Sequence, residues 1–327
     1  MTSSPAVSAV VVNYRRRDLL DACLRTLREA LAALDAGSET IVVDNGSDDG
    51  SAELVRRRYR EVDLLALSHN VGFAGAVNRA MTRASAEWVL LLNNDATIAP
   101  EAVVHLLRAG QSSADVGSVA AQMRFAAPPR AINSAGIEVD RLGVAYDRLL
   151  GRLPDESERE PVEVFGPSAG AGLYRRTMLE RIGGFDDSFF VFLEDVDVAW
   201  RARMAGWRCL YAPGAVVHHH HSATAGHASA FKHFHVGVNR MRVLAKNADG
   251  RHLARYGIAI VTYELAYVAY ACVGDRTLAP VRGRLLGVRQ WRSYRRKGAA
   301  SRRPVALASV QGLRGALARR AAWAAAR

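Results

Sequence analysis

Residues 88–95 have the sequence WVLLLNND, an apolar run that ends abruptly in three polar residues. A short apolar run of this kind is typical of a buried strand. The same arrangement occurs twice earlier in the chain, where 8–12 ends at Asn13 and 40–43 runs into Asp44. A further strand is predicted near 62–67. We therefore expect polar side chains at the ends of several buried strands.

Helices are predicted between these strands. Leucines and Cys23 recur every three or four positions within 18–34, which is the pattern of an amphipathic helix. Shorter helices are predicted at about 51–60 and 76–84. Strands that alternate with helices in this way predict an α/β fold with a mostly parallel sheet covered on both faces. Ligands of such sheets bind outside the carboxyl ends of the strands, so Asn13, Asp44 and Asp95 mark a candidate site.

A dinucleotide-binding oxidoreductase is the natural alternative for this pattern. It requires a glycine-rich turn after the first strand, where a helix amino terminus holds the pyrophosphate. The first turn here is NYRRR at 13–17, and the glycines Gly72 and Gly75 come one unit too late. This alternative is therefore disfavoured.

Composition is ordinary for a globular protein of 327 residues, with 50% hydrophobic and 23% charged residues. The three cysteines lie far apart and match no metal or redox spacing, which favours a protein of the reducing cytosol. We expect no signal peptide at the amino terminus. The apolar run 258–273 contains Glu264 and is shorter than the roughly 20 residues that span a bilayer.

The charge is distributed unevenly. The net charge is +12, yet residues 276–327 contain 14 Lys or Arg and no Asp or Glu. A basic segment with interspersed apolar residues favours contact with an anionic membrane surface. A solvated segment with no partner is the simpler alternative. No nucleic-acid-binding module precedes the segment, so we expect no nucleic-acid partner.

Two groups of residues have the chemistry of a catalytic site. Asp95, at a strand end, suits a hard divalent cation such as Mg²⁺ or Mn²⁺, although a turn aspartate that caps the next helix has the same pattern. Glu194 and Asp195 are expected at a helix start, where a carboxylate held ionised can act as a general base. The alternative is that both only cap the helix. Asp197, four residues before Arg201, is expected to form an ion pair within the helix.

Histidines are concentrated in one region. Seven of the ten lie between His218 and His235, and four are consecutive at 218–221. Imidazole is a common metal ligand, so one of these histidines could complete the site that Asp95 begins. Because adjacent side chains cannot all face one ion, several of the four must have another role. A dedicated zinc site is less favoured, since no cysteine is interspersed.

Several short motifs follow one another in a characteristic order from about residue 8 to 222. They are VVNY at 11–14, VDNGSDDG at 43–50, NVGFAGAVN at 70–78, LLNND at 91–95, GGFD at 183–186, EDVD at 194–197, Arg201, GW at 206–207 and the histidines from His218. In this order they resemble the family 2 glycosyltransferases of the GT-A fold, in particular rhamnosyltransferase-type bacterial members. The resemblance covers roughly two thirds of the chain.

The resemblance implies a role for each matching residue. In the donor site, Asn13, Tyr14 and Asp44 would contact the base, and Asn70, Gly75 and Asn78 would shape the ribose and phosphate region. Asp95 corresponds to the metal-binding end of the family's Asp-x-Asp motif, whose first position is Asn93 here, and Asn94 lies between them. The departure at Asn93 removes one charge from the site. His218 is the predicted metal-ligating histidine, with His219 and His220 as alternatives.

The resemblance also implies the reaction. Asp195, with Glu194 beside it, would be the catalytic base of an inverting, Mg²⁺- or Mn²⁺-dependent glycosyltransferase. L-Rhamnose from dTDP-rhamnose is the first expectation for the donor, with UDP-type donors open. The acceptor would be a lipid-linked or polysaccharide cell-envelope glycan, and a secondary metabolite is the alternative.

Three regions are predicted along the chain. Residues 1–120 would form the nucleotide-sugar-binding half, 121–225 the acceptor-binding and catalytic half, and 226–327 a helical, strongly basic extension. Residues 130–161 would form a hairpin or lid over the acceptor. The extension would place the protein at the cytoplasmic face of the cell membrane.

Overall fold

The computed structural model describes residues 5–128, 130–220, 229–298 and 304–325. Its strands are β1 Val7–Asn13, β2 Ser38–Asp44, β3 Asp63–Ala66, β4 Trp88–Asn93, β5 Ala96–Ile98, β6 Val116–Phe125, β7 Ile132–Ser134, β8 Ile137–Val139, β9 Ala145–Asp147, β10 Val162–Val164, β11 Ala171–Arg175 and β12 Arg208–His219. Its α-helices are α1 Arg17–Ala32, α2 Ser51–Arg58, α3 Gly72–Met81, α4 Ala102–Gln111, α5 Arg176–Ile182, α6 Glu194–Met204, α7 Ala230–Asn247, α8 Gly250–Gly274, α9 Ala279–Arg289, α10 Trp291–Lys297 and α11 Gly312–Ala325.

A single mixed sheet forms the centre of the molecule. Its strand order is β10-β12-β6-β11-β4-β1-β2-β3, with β5 paired to β12 and β7 paired to β6. The strands β3, β2, β1 and β4 are mutually parallel, whereas β11 is antiparallel to both of its neighbours. The register places Asn13 opposite Asp44, and Val12 opposite Asn93. The polar strand ends therefore meet at one edge of the sheet, as the sequence predicted.

Helices cover both faces of this sheet. One apolar layer packs α1 and α4 against it and includes Leu20, Leu27 and Leu106. The opposite layer packs α3, α5 and part of α6 and includes Val77 and Met178. The predicted α/β architecture is confirmed by this arrangement.

Two element boundaries differ from the sequence prediction. Helix α3 begins at Gly72, earlier than expected, because the Asn70 side chain accepts a hydrogen bond from the Gly72 amide at 2.8 Å and so supports the first turn. The helix predicted after Asp95 is preceded by a short strand, so this segment consists of β5 and α4.

The predicted boundary between the two halves of the domain, at 120/121, lies within β6. The two predicted halves therefore share one continuous sheet.

The carboxyl-terminal region is helical, as predicted, but much of it is packed against the rest of the molecule. Tyr294 of α10 is buried and donates a hydrogen bond to the Ser188 hydroxyl at 2.6 Å. Arg284 of α9 is also buried and pairs with Glu264 of α8. Some of the basic side chains of this region are therefore buried in contacts within the protein and are not exposed to solvent. Helix α8 has 25 residues, longer than the apolar run that the sequence indicated.

Candidate active site

The ends of β1 and β2 form a rigid polar floor. Asn13 is fully buried, and its amide donates to Asp44 Oδ1 at 2.9 Å. The Asn13 side-chain oxygen accepts from the Asn94 amide at 2.7 Å, and Asn94 also donates to the Arg15 carbonyl at 3.2 Å. Buried polar groups that satisfy one another in this way hold a fixed orientation. Three predicted donor-site residues are thus brought together.

A turn after β1 flanks this floor. Arg15 and Arg16 both have a φ of 62°, which is rare for residues with a side chain. The Arg15 amide donates to the Ser47 hydroxyl at 2.8 Å, so the loop after β2 holds the turn in place. The Arg15 guanidinium lies over the half-buried Tyr14 ring, and its central carbon is 5.3 Å from the centre of that ring.

The next loop brings Asn45 and Asn70 together. The Asn45 amide donates to Asn70 Oδ1 at 3.0 Å, and Asn45 Oδ1 accepts from the Val71 amide at 2.9 Å. Gly75 lies inside α3, and a Cβ there would be 3.3 Å from the Val71 side chain. The Asn78 amide donates to the Phe185 carbonyl at 2.7 Å, so this side chain ties α3 to the loop before α6. Donor contacts by these residues stay a prediction.

Asp95 faces one of the four consecutive histidines, and that histidine is His219. His219 Nε2 lies 3.0 Å from Asp95 Oδ1, and both side chains are about 90% buried. On the other side of the ring, Nδ1 lies 3.0 Å from Asn133 Oδ1. Asn133 therefore fixes the ring with Nε2 directed at the carboxylate, which is how outer residues commonly orient a metal-binding imidazole.

The neighbouring His218 lies on the other face of β12. Successive strand residues point to opposite faces, so His218 and His219 cannot both face Asp95. His218 is half-buried near Arg130 and Arg124, and burial together with these cations lowers its pKa. The geometry thus favours His219 over His218 as the partner of Asp95. His221 lies outside the described residues, and in the described part of the chain no group of three or more Asp, Glu, His or Cys is arranged to hold a metal.

Glu194 and Asp195 form the first turn of α6, as predicted. Asp195 Oδ2 accepts from the Ala169 amide at 3.1 Å, and Oδ1 accepts from the Val196 amide at 2.8 Å. Burial raises the pKa of Asp195 to about 6 despite these hydrogen bonds. Burial and the nearby Asp195 charge raise the pKa of Glu194 well above its usual range. Burial thus favours the protonated form of both carboxyl groups, and the role of Asp195 as the catalytic base stays a prediction.

Asp195 is linked to the strand end that carries the asparagines and Asp95. Ala169, which donates to Asp195, is followed by Gly170, whose carbonyl accepts from the Asn93 amide at 2.9 Å. Asp147 of β9 acts electrostatically on both Asp195 and His219. The carboxylate pair and the Asp95–His219 pair thus belong to one site.

Similarity to known proteins agrees with this geometry. The model of the family described as "Glycosyltransferase like family 2" matches residues 5–234, which is most of the chain. The chain is a family 2 glycosyltransferase. It is accordingly an enzyme that depends on a nucleotide sugar.

Two bacterial relatives illustrate the range of the family. This glycosyltransferase is 29% identical over 227 residues to the N-acetylglucosaminyl-diphospho-decaprenol L-rhamnosyltransferase of Mycobacterium tuberculosis, covering 61% of this chain and 73% of the relative. It is 25% identical over 212 residues to the poly-beta-1,6-N-acetyl-D-glucosamine synthase of Staphylococcus aureus, covering 64% of this chain and 48% of that protein. The chain thus spans about half the length of the synthase.

Solved structures show the same fold. GalNAc-T7, crystallised with UDP, GalNAc and Mn²⁺, matches with a TM-score of 0.60 at 14% identity, covering 76% of this chain and 49% of that one. The mannosyltransferase PcManGT from Pyrobaculum calidifontis, in complex with GDP-Man and Mn²⁺, matches with a TM-score of 0.50 at 20% identity, covering 88% and 76%. The fold of this family 2 glycosyltransferase is therefore GT-A.

A strained loop leads into α6 of the glycosyltransferase. Phe190, Phe192 and Leu193 all have φ between 62° and 70°. The fully buried Asn239 of α7 donates its amide toward the carbonyls of residues 189, 191 and 192, at 2.8, 3.0 and 2.8 Å. Left-handed backbone at non-glycine residues persists only where surrounding contacts impose it. Asn239 supplies such contacts immediately before Glu194.

The same loop reaches the donor side of the glycosyltransferase. The Phe190 carbonyl accepts from the amides of Phe73 and Ala74, at the start of α3, at 2.5 and 3.4 Å. Gly72 has a φ of +81°, and a Cβ there would lie 2.6 Å from the Phe190 carbonyl oxygen. The close approach of the two loops therefore requires glycine at this position.

Sequence reasoning missed four residues of this site: Asn133, Asp147, Lys232 and Asn239. Asn133 and Asp147 lie in the region that was predicted only as a hairpin or lid. Lys232 and Asn239 belong to α7, beyond the last matching motif. The Lys232 ammonium lies 5.7 Å from the Phe192 ring centre and acts electrostatically on Asp147. No local pattern marks any of them, because each acts on residues distant in sequence.

Proposed function

We propose that this glycosyltransferase is an inverting, divalent-cation-assisted enzyme that transfers L-rhamnose from dTDP-rhamnose to a hydroxyl of a lipid-linked cell-envelope glycan. The supporting observation is the position of Asp195. This half-buried carboxylate accepts a hydrogen bond from the Ala169 amide, and the next residue, Gly170, is hydrogen-bonded to Asn93 at the end of β4. Asp95 lies two residues after Asn93. A base and an anion-binding region at one sheet edge are what a single displacement requires.

The donor set at Asp95 fits a divalent cation. Carboxylate oxygen and imidazole nitrogen both bind first-row divalent metals, and Asn133 already orients the ring. Asp95 and His219 would hold Mg²⁺ or Mn²⁺, with the donor diphosphate and water as further ligands. When bound, the cation offsets negative charge on the departing diphosphate. The two GT-A structures described above contain Mn²⁺.

Asp195 performs the proton transfer. Its carboxylate takes the proton of the acceptor hydroxyl while that oxygen forms a bond to the anomeric carbon. The bond from the anomeric carbon to the diphosphate oxygen breaks, and the nucleoside diphosphate leaves. One displacement inverts the configuration at the anomeric carbon. Burial and the Asp195 charge raise the pKa of Glu194, which disfavours a second negative charge near the leaving group.

The polar floor binds the nucleotide. Asn13, Tyr14 and Asp44 contact the base, and the rigid Asn13–Asp44–Asn94 arrangement fixes its orientation. The ribose and diphosphate lie toward the loop and helix after β3 and the end of β4. The residues proposed there are Asn70, Gly75, Asn78, Asn93 and Asn94.

The proposed acceptor class is based on the Mycobacterium tuberculosis relative. The Mycobacterium tuberculosis protein is named for a decaprenyl-diphosphate-linked sugar. By this similarity, the acceptor here is a polyprenyl-diphosphate-linked glycan, and the enzyme acts at the cytoplasmic face of the cell membrane. UDP-linked donors, and a secondary metabolite as the acceptor, are the competing possibilities that the experiment must separate.

A thermal-shift panel tests the donor assignment. Purified protein is heated with UDP, dTDP, GDP or CDP, each with and without Mn²⁺ or Mg²⁺. A ligand that binds only the folded state raises its melting temperature according to occupancy. We expect the largest metal-dependent rise with dTDP. A rise with UDP alone would replace the rhamnose assignment, and no rise with any nucleotide would contradict the proposed site.

The variant Asp195→Asn tests the base. Amide and carboxylate have nearly the same shape, but the amide cannot accept the proton. We expect the nucleotide-dependent melting shift to be retained and sugar transfer to fall by about 10²-fold or more. Wild-type turnover by the variant would refute the role of Asp195.

A further inference from the structure

Helix α8 exposes a continuous apolar stripe. Ile258, Val261, Leu265 and Val273 are 88%, 57%, 68% and 80% exposed. Their spacing, with the exposed Ala269 between the last two, places them on one side of the helix. The other side is buried and carries Ile260, Tyr263, Glu264 and Ala271. Exposed apolar side chains gathered in this way mark an interaction surface.

The exposed charged side chains of α8, α9 and α10 are all basic. Residues 250–298 contain only two acidic residues, Glu264 and Asp275. Glu264 is buried and pairs with Arg240 and Arg284. Asp275 pairs with His233 at 3.0 Å and with Arg320 at 2.9 Å.

Exposed arginines accompany the stripe on α8, α9 and α10. They are Arg251, Arg255, Arg282, Arg289, Arg292 and Arg296. On α9 they alternate with Leu278, just before the helix, and with Leu285 and Val288, which are 62%, 55% and 56% exposed. An apolar face bordered by arginines is complementary to a bilayer that contains anionic lipids.

We infer that the exposed faces of α8 and α9 dock in the plane of an anionic phospholipid bilayer. The apolar side chains enter the boundary between headgroups and acyl chains, and the arginines contact lipid phosphates. A second copy of this chain is a less suitable occupant, because two faces with the same positive charge repel each other.

The packing of α8 favours an in-plane orientation over a membrane-spanning one. Among the described residues, α8 is the one helix long and apolar enough to cross a membrane, by length and composition alone. Its inner side, however, binds two arginine side chains through Glu264, and Arg240 also donates to the Leu142 and Gly143 carbonyls. These contacts fix α8 along the surface of the folded protein. The part accessible to lipid is therefore one side of the helix.

The end of α8 is linked through α7 to the loop that precedes α6. Asp275, immediately after α8, pairs with His233 near the start of α7. The adjacent Lys232 lies over Phe192, whose loop continues into Asp195. Membrane docking through α8 thus brings the loop before α6 toward the lipid surface. This placement rests on the proposed lipid-linked acceptor, whose hydrocarbon chain can stay in the bilayer while its sugar reaches the base.

Vesicle sedimentation tests the docking face. The full-length protein is mixed with vesicles of phosphatidylcholine alone or with about 30% phosphatidylglycerol. We expect clear preference for the anionic vesicles and loss of about tenfold or more in partitioning for Leu265→Glu and Val273→Glu. The matched control is Leu153→Glu, because Leu153 is 45% exposed but lies outside the helical extension. It should partition as the wild type does.

Three results would overturn the inference. They are failure of the wild type to bind anionic vesicles, equal binding by Leu265→Glu and Leu153→Glu, or a lipid-free dimer that Leu265→Glu converts to a monomer in light scattering. Failure of the proposed enzymatic function is measured separately. The nucleotide-dependent melting shift should be unchanged in Leu265→Glu, and it reports on the donor site whether or not vesicles bind.

Discussion

Asp195 and Glu194 are adjacent carboxyl groups with different surroundings. Asp195 accepts two backbone hydrogen bonds, whereas Glu194 Oε2 is buried and has no hydrogen-bond partner among the described residues. An unpaired buried carboxylate oxygen favours the protonated form. The difference favours Asp195 over Glu194 as the proposed base.

The rate of transfer should therefore depend on pH through Asp195. Burial places its pKa at about 6, so the carboxylate is protonated and inactive below that pH and ionised above it. We expect kcat/KM to rise through about pH 6 and then level off. The titratable neighbours are Glu194, Asp147 and Tyr174. Rates measured from about pH 5 to about pH 8 check this prediction.

Glu194→Gln is the control for this profile. Because burial raises the pKa of Glu194 well above its usual range, replacing it with a neutral amide should leave the midpoint nearly unchanged. A flat profile in the wild type would contradict the assignment of Asp195. A midpoint that moved strongly in Glu194→Gln would show that Glu194 is ionised.

The choice between His218 and His219 is also a prediction about single residues. His219→Ala removes the nitrogen beside Asp95, and it should weaken Mn²⁺-dependent nucleotide binding by at least about tenfold. Asn133→Ala should weaken it by about ten- to a hundredfold, because the ring loses its orienting partner. Calorimetric titration of nucleotide with and without Mn²⁺ measures both. His218→Ala is the matched control, and an equal loss in that variant would contradict the assignment.

The loop 189–193 is an element whose conformation depends on one side chain from another element. Asn239→Asp keeps the shape of that side chain but replaces the amide donor with a carboxylate, which three carbonyls repel. The left-handed residues should then relax and displace Asp195. We expect kcat to fall by about 10²-fold, because small misplacement of a catalytic group is costly. The nucleotide-dependent melting shift should be largely retained.

Gly72→Ala should also lower kcat by displacing the loop 189–193, because the new alanine Cβ would press on Phe190. Ile260→Val is the control, because it loosens packing in the helical extension without contacting the loop. If Ile260→Val reduced kcat as much as Asn239→Asp at a similar loss of melting temperature, the loop would have no specific role.

Local sequence patterns predicted the elements of the donor side well. Apolar runs that end in Asn13, Asp44 and Asn93 correspond to β1, β2 and β4, and the leucine periodicity corresponds to α1. The order of motifs then identified the fold. Each of these signals is contained in a few consecutive residues, so no knowledge of tertiary contacts was required.

Contacts between distant elements were not predictable in the same way. His218 and His219 are chemically identical neighbours, and only the pairing of β12 with β5 and β6 decides which one faces Asp95. Asn239 is a polar residue inside a helix, and its three acceptors lie about 50 residues earlier. Charge counting likewise could not show that Arg284 is buried against Glu264.

At the scale of the whole molecule, a buried ionic cluster joins the helical extension to the GT-A domain. Lys246 of α7 lies 2.9 Å from both Asp186 and Asp197. Asp197 is fully buried and is also held by Arg201, as the sequence predicted, and by the Asn247 amide at 2.9 Å. The cluster connects α7 to α6 and to the loop that precedes Glu194 and Asp195. Extension and domain should therefore unfold together.

Lys246→Met tests this connection. It removes a cation shared by two carboxylates, and breaking a buried ion pair from one side costs about 3–5 kcal/mol. Arg201 still pairs with Asp197, so we expect a loss of about 3 kcal/mol in the free energy of unfolding at neutral pH, measured by urea denaturation.

The pKa values of Asp186 and Asp197 are lowered by their cationic neighbours against the opposing effect of burial, that of Asp186 to about 2. Their contribution is thus present above the usual aspartate range and is lost as pH falls toward about 2, so the variant and the wild type should converge in acid. Arg57→Met, which removes an exposed pair with Glu53, should change stability little at any pH. Two outcomes would show that the cluster does not couple the extension to the catalytic domain. One is a loss of stability in Lys246→Met as small as that in Arg57→Met. The other is unfolding of Lys246→Met in two separate steps, the first of which is unchanged by nucleotide.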